Sequence, residues 1–143
     1  HEAQTKDPNL VDAMLVPSVH EYVIGSLPIY LKALTFLAGY RGDREKGMAG
    51  VKKVARQGRR TRVEARVLTA LMERREKRPE QALGIWRELA GEFPGNHLYR
   101  MELVNVLGVL RRYPEGEREL EQLADKRYRF LRPERLEGFR KEW

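Results

Sequence analysis

Pro79-Glu80-Gln81-Ala82-Leu83-Gly84-Ile85-Trp86-Arg87-Glu88-Leu89-Ala90-Gly91-Glu92-Phe93-Pro94-Gly95-Asn96 is the stretch whose reading decides the fold. Pro79 suits a first helical position, where its missing N–H has no partner to lose, and Pro94-Gly95 stops the run. Between them Ala82, Trp86, Leu89, Ala90 and Phe93 recur at the three- and four-residue spacing of one helix face. The same period recurs along the chain. No sustained period-two alternation appears, so nothing reads as a strand and the class expected is all-α.

Upstream, a helix should follow Asp7-Pro8-Asn9, with Val11, Met14, Leu15, Val19, Tyr22 and Val23 on its apolar positions. Pro17 lies inside that pattern and should kink or break it, because its ring clashes with the preceding turn. Leu27-Pro28 restarts the chain. Residues 28–40 are apolar nearly all round, which predicts a central helix buried on most sides and ended by Gly39 and Gly42. A helix from about Asp43 to Gln57 turns Met48, Val51, Val54 and Ala55 inward, with Gly58 as its stop. Thr61 is expected to cap the next, to about Lys77, burying Val63, Val67, Leu68 and Leu71. Downstream, Asn96 caps a helix to about Arg112 that carries Tyr99, Leu103, Val104, Leu107 and Leu110. Pro114-Glu115-Gly116 should then turn the chain into a last core helix with Leu120, Leu123 and Ala124.

The pattern repeats. Val54-Ala55, Leu89-Ala90 and Leu123-Ala124 are spaced by 35 and 34 residues, and Gly47, Ala82, Gly116 and Val51, Trp86, Leu120 keep the same spacing. A small residue lets two helices approach, and a large one four positions on fills the space beside it. A single helical hairpin cannot bury its apolar face, so hairpins stack. Ala82, Trp86, Leu89-Ala90 and Pro94 resemble the second helix of the tetratricopeptide repeat (TPR). Residues 62–96 match best, with 28–61 and 97–130 as divergent copies. Arg66 and Arg100 stand where that family carries a large residue. The resemblance implies a short, right-handed superhelix of stacked helical hairpins, a single domain over residues 1–130, and a charged tail or docking helix over 131–143.

A narrower resemblance spans most of the chain. It runs through Asp7-Pro8-Asn9, Asp12-Ala13, Tyr22, Leu27-Pro28, Gly39-Tyr40-Arg41-Gly42-Asp43-Arg44-Glu45-Lys46-Gly47, Glu64-Ala65-Arg66, Arg78-Pro79-Glu80-Gln81-Ala82-Leu83 and Phe93-Pro94-Gly95-Asn96. This order is similar to bacterial TPR proteins of the Iml2/TTC39-like group. Such relatives are glycine-rich before the tyrosine, where this chain has Val16-Pro17-Ser18-Val19, and they extend further upstream. The resemblance implies a non-enzymatic protein-interaction scaffold. It also implies the bacterial cell envelope as location, with the cytoplasm as alternative.

The chain of 143 residues carries 28 basic and 21 acidic side chains and no cysteine. Disulfides, thiolate metal sites and cysteine nucleophiles are therefore excluded. Residues 41–78 hold 14 basic against 5 acidic groups, so this segment contributes the whole excess of the net +7 charge. Such a field draws anionic partners. Within it Arg56, Arg59, Arg60, Arg62 and Arg66 cluster, followed by Arg74, Arg75, Lys77 and Arg78. As a solvated face the cluster would be balanced locally, with Glu73 pairing with Lys77 four residues on and Glu64 meeting nearby arginines. As a site, Arg59, Arg60, Arg62 and Arg66 would bind an unknown protein or peptide of acidic character on the concave surface. Anion or nucleic-acid binding through 41–78 is the alternative, although no aromatics interleave the arginines to stack on bases. No nucleophile elbow, phosphate loop or paired-histidine zinc motif is present, so no catalytic residue, cofactor or metal site is expected. Residues 22–40 carry one charge, Lys32, in 19 positions, but Gly25-Ser26 and Pro28 interrupt them, so stable membrane insertion is not expected.

Overall fold

A computed structural model describes residues 8–130 apart from 38 and 40. The proposed 131–143 tail lies outside the described residues. Among them every regular element is a helix: α1 (Pro8–Ala13), α2 (Leu15–Gly25), α3 (Ile29–Leu37), α4 (Arg44–Gln57), α5 (Arg62–Arg75), α6 (Pro79–Glu92), α7 (His97–Val109) and α8 (Tyr113–Phe130). By contact the chain forms two compact units, parted between Lys77 and Arg78. No described helix is long and apolar enough to cross a membrane.

In the first unit α4 packs between α2 and α5. The break foreseen at Pro17 falls at Met14, three residues earlier. There the ring spares the carbonyl four residues back, and Pro17 sits in the first turn of α2, where no N–H is needed. Val11, Leu15, Tyr22, Met48, Val51, Val54, Ala65 and Met72 form the core. α2 and α4 approach closely because Gly47 lies against Tyr22 and Ser18. The Tyr22 hydroxyl reaches past α4 and donates to Glu76 Oε1 at 2.8 Å, tying α2 to the end of α5.

Four expectations for this unit are corrected. The helix over 28–40 is not buried: α3 has no buried residue, and Ile29, Leu34 and Leu37 are 86%, 62% and 81% exposed. The main partner of α4 on that side is α2, whose glycine-permitted crossing leaves α3 outside the core. On α5, Leu71 faces solvent while Ala65, Thr69, Met72 and Glu73 face inward. The small Ala65 and Thr69, whose hydroxyl donates to the Ala65 carbonyl at 2.7 Å, let α5 sit close on α4. Glu73 meets Lys52 of α4 at 2.5 Å rather than Lys77. Thr61 occupies the cap position of α5 but its side chain makes no capping bond there.

In the second unit α7 packs against both α6 and α8. Ala82, Leu83, Trp86, Leu89 and Ala90 are buried on α6, and Leu103, Val106 and Leu107 on α7. The Asn96 side chain accepts from the Leu98 N–H, as expected of a cap. The chain does not turn at Pro114-Glu115-Gly116. These residues form the first turn of α8, and the reversal is made earlier, at Arg111. There the Arg111 and Arg112 N–H groups return to the Gly108 and Leu107 carbonyls, with Arg111 at φ 56° in the place glycine usually takes. Leu120 and Ala124 are exposed on α8, where Gly116 is the buried contact with α7. Arg100 of α7 donates to Glu119 and Gln122 of α8.

Candidate functional site

The four sequence-selected arginines are brought together at the turn between α4 and α5. Gly58 closes α4, Arg59 and Arg60 form the turn, Arg62 opens α5, and Arg66 follows one turn along the same face. Arg59, Arg60 and Arg62 are exposed and Arg66 is half-buried. Among the described residues no carboxylate pairs with the side chains of Arg59, Arg60 or Arg62.

A residue the sequence reading did not select holds this turn. Asp12, at the end of α1, accepts the Arg59 N–H on Oδ1 at 3.0 Å and the Arg60 N–H on Oδ2 at 2.9 Å. Its Oδ1 also accepts the Thr61 N–H at 3.3 Å and the Thr61 hydroxyl at 3.0 Å. Three successive backbone N–H groups thus converge on one carboxylate, the geometry of a backbone anion nest. Gly58 is required beside it, because a Cβ there would lie 2.6 Å from Asp12 Oδ1. The backbone donors are spent on Asp12, so an outside anion would meet guanidinium groups alone.

The hydrogen bond from the Arg60 N–H does most to hold the Asp12 carboxyl below its ordinary range, with the Thr61 and Arg59 donors adding to it and burial opposing. Glu21 behaves alike at the other end of α4. It accepts the Asp43 N–H at 2.9 Å and Lys46 at 3.2 Å, and the Asp43 bond lowers its pKa most. A carboxylate whose pKa is lower folded than unfolded adds stability above its unfolded pKa. That contribution is lost as pH falls through the folded value. The chain should therefore lose stability below about pH 4.5. Asp12→Asn places an amide NH2 against a backbone N–H. Its melting temperature should fall by roughly 5 °C or more at pH 7, and by less at pH 3, in calorimetry at both pH values. An equal loss at both would remove the Asp12 carboxylate from this role.

The charge of the 41–78 segment is partly consumed inside the fold. Arg44 meets Glu76 at 3.2 Å, Lys46 meets Glu21, and Lys52 meets the buried Glu73. Exposed basic side chains remain at the 59–62 turn, in Arg59, Arg60 and Arg62, and again in Arg74, Arg75, Lys77 and Arg78. Among the described residues no group of three or more acidic, histidine or cysteine side chains is placed to hold a metal ion. A groove of about 440 Å³ lies over the α2–α4 crossing, lined by Leu10, Met14, Pro17, Gly47 and Gly50 among others. Its signal in the sequence is the Gly47-x-x-Gly50 spacing, which strips side chains from one strip of α4.

The chain matches no family model, no curated protein and no solved structure.

Proposed function

We propose that this chain is a non-enzymatic, TPR-like scaffold, its hairpins stacked in a short right-handed superhelix. Through Arg59, Arg60, Arg62 and Arg66 it binds an acidic stretch of a partner protein on its concave surface. One observation carries the reading: a turn whose backbone is fastened at three points by Asp12 presents three exposed arginines whose side chains pair with no carboxylate among the described residues. Fastening the backbone lowers the ordering cost of binding, and guanidinium groups suit bidentate contact with carboxylates.

The test is fluorescence anisotropy with a labelled glutamate-rich peptide. The Arg62→Glu, Arg66→Glu double variant should bind at least about tenfold more weakly than the wild type. Reversal of the exposed Arg118 on α8 should change affinity less than about twofold. Equal affinity for the wild type and the double variant would overturn the proposal. The broader reading, nucleic-acid binding through residues 41–78, would instead give tight binding of single-stranded RNA with a steep salt dependence. Ion pairing of Arg44, Lys46 and Lys52 within the fold weighs against it.

A further inference from the structure

α3 is built inside out. Ile29, Tyr30, Ala33, Leu34 and Leu37 follow the spacing of one helix face, and all five are exposed. The half-buried positions are Leu31 and Thr35, on the opposite side. The Thr35 hydroxyl is satisfied by the Lys32 carbonyl at 3.0 Å. The outward face of this helix is thus wholly apolar, and its packing within the protein is chiefly against α2.

Cations stand at the base of that face. From Tyr22 to Gly42 the sequence contains no acidic residue and two basic ones, Lys32 and Arg41. Lys32, Thr35, Phe36 and Arg41 line a single cleft of about 180 Å³, with the Arg41 guanidinium 4.9 Å from the centre of the Phe36 ring. Among the described residues neither cation is ion-paired, although Lys32 also lines a wider cleft with Asp43 and Glu45. An apolar face bordered by cations is the pattern of a helix lying in a bilayer interface. The face would enter the acyl boundary while Lys32 and Arg41 meet lipid phosphate. Nine residues span about 14 Å, far short of the hydrocarbon core, so such a helix lies on the membrane and does not cross it. A second copy fits the face poorly, because it would bring together two Lys32–Arg41 pairs and two strongly basic 41–78 segments.

We propose that α3 is a peripheral membrane-docking element, its Ile29–Leu37 face seating in an anionic lipid surface with Lys32 and Arg41 on the headgroup phosphates.

The test is vesicle co-sedimentation of the full chain. One set of vesicles contains phosphatidylcholine alone and the other phosphatidylcholine with phosphatidylglycerol. The wild type should bind the anionic vesicles at least about tenfold more tightly than the neutral ones. The Leu34→Gln, Leu37→Gln variant keeps the charge and alters only exposed positions, so it should melt like the wild type yet bind anionic vesicles at least about tenfold more weakly. The chain has no cysteine, so Ile29→Cys can carry an environment-sensitive fluorophore alone. Its emission should shift to the blue on anionic vesicles. Any of three results would overturn the proposal: undiminished binding by the double glutamine variant, an unshifted label, or wild-type affinities equal for both vesicles. So would a concentration-dependent dimer in sedimentation velocity that the double variant abolishes, since the face would then belong to a second copy.

Discussion

Gly47→Ala is expected to destabilise the first unit by about 2–3 kcal/mol, from the addition of a single methyl group. At Gly47 a Cβ would fall on the Tyr22 backbone nitrogen and lie 2.7 Å from both the Ser18 carbonyl oxygen and the Tyr22 Cα. These are backbone atoms of α2, so no rotamer change can make room. The helices must separate, and separation loosens Tyr22, Met48 and Val51, which the close crossing packs together. It also draws the Tyr22 hydroxyl away from Glu76. Gly84→Ala supplies the control, since a Cβ on that exposed helical glycine meets nothing within 4 Å. Helix propensity alone should make it stabilising by about 0.5–1 kcal/mol. Urea denaturation followed by circular dichroism reads both. If Gly47→Ala unfolds at the wild-type midpoint, the α2–α4 crossing is not as tight as described.

The contrast between these two glycines shows what was legible in the sequence. Gly47 belongs to the small-residue series with Ala82 and Gly116, and all three are buried. Features written by adjacent residues came through well. The helix expected from about Asp43 starts at Arg44, Asn96 caps α7, Gly58 ends α4, and Pro17 places the α1–α2 break nearby. What failed were statements about which partner covers a face. The composition of residues 29–37 marks them as apolar, and apolarity in a helix ordinarily means burial. Coverage depends on a second helix, and α4 took α2. The inward side of α5 was misread for a related reason. Its polarity follows from Lys52, 21 positions before Glu73, which makes a charged residue an inward one and lets Leu71 face water.

The candidate site divides in the same way. Charge density alone locates Arg59, Arg60 and Arg62 and makes their exposure expected. Asp12 contributes the scaffolding across 47 to 49 positions of sequence, and nothing near it in the chain announces a partner so distant. The local argument gave Thr61 the capping role. In the fold the Thr61 hydroxyl is instead a donor to Asp12, which also gathers the N–H groups of residues 59–61 ahead of α5. The acidic residues of α1 and α2 thus decide how the basic residues of the next segment are displayed. The fold and the arginine cluster are coupled through Asp12.

Trp86→Ala should cost the second unit about 3–5 kcal/mol, the largest effect expected of any single truncation in this chain. Trp86 is 1% exposed and is the largest of the fully buried side chains. Its ring lies 5.9 Å from Tyr99 of α7, and Tyr99 in turn meets the Phe93 ring edge-on at 5.9 Å. The truncation therefore removes the contact on which α6 and α7 close, and the aromatic cluster around it cannot collapse into the space. Trp86→Phe separates volume from polarity. Among the described residues the buried indole Nε1 has no hydrogen-bond partner, so exchanging it for carbon loses ring area but relieves a desolvated donor. That variant should cost only about 1 kcal/mol. Chemical denaturation of the three proteins, followed by far-ultraviolet circular dichroism, gives the ordering directly. A Phe variant as damaged as the Ala variant would mean that the indole nitrogen holds a bond after all, and that this aromatic is polar anchor as well as spacer.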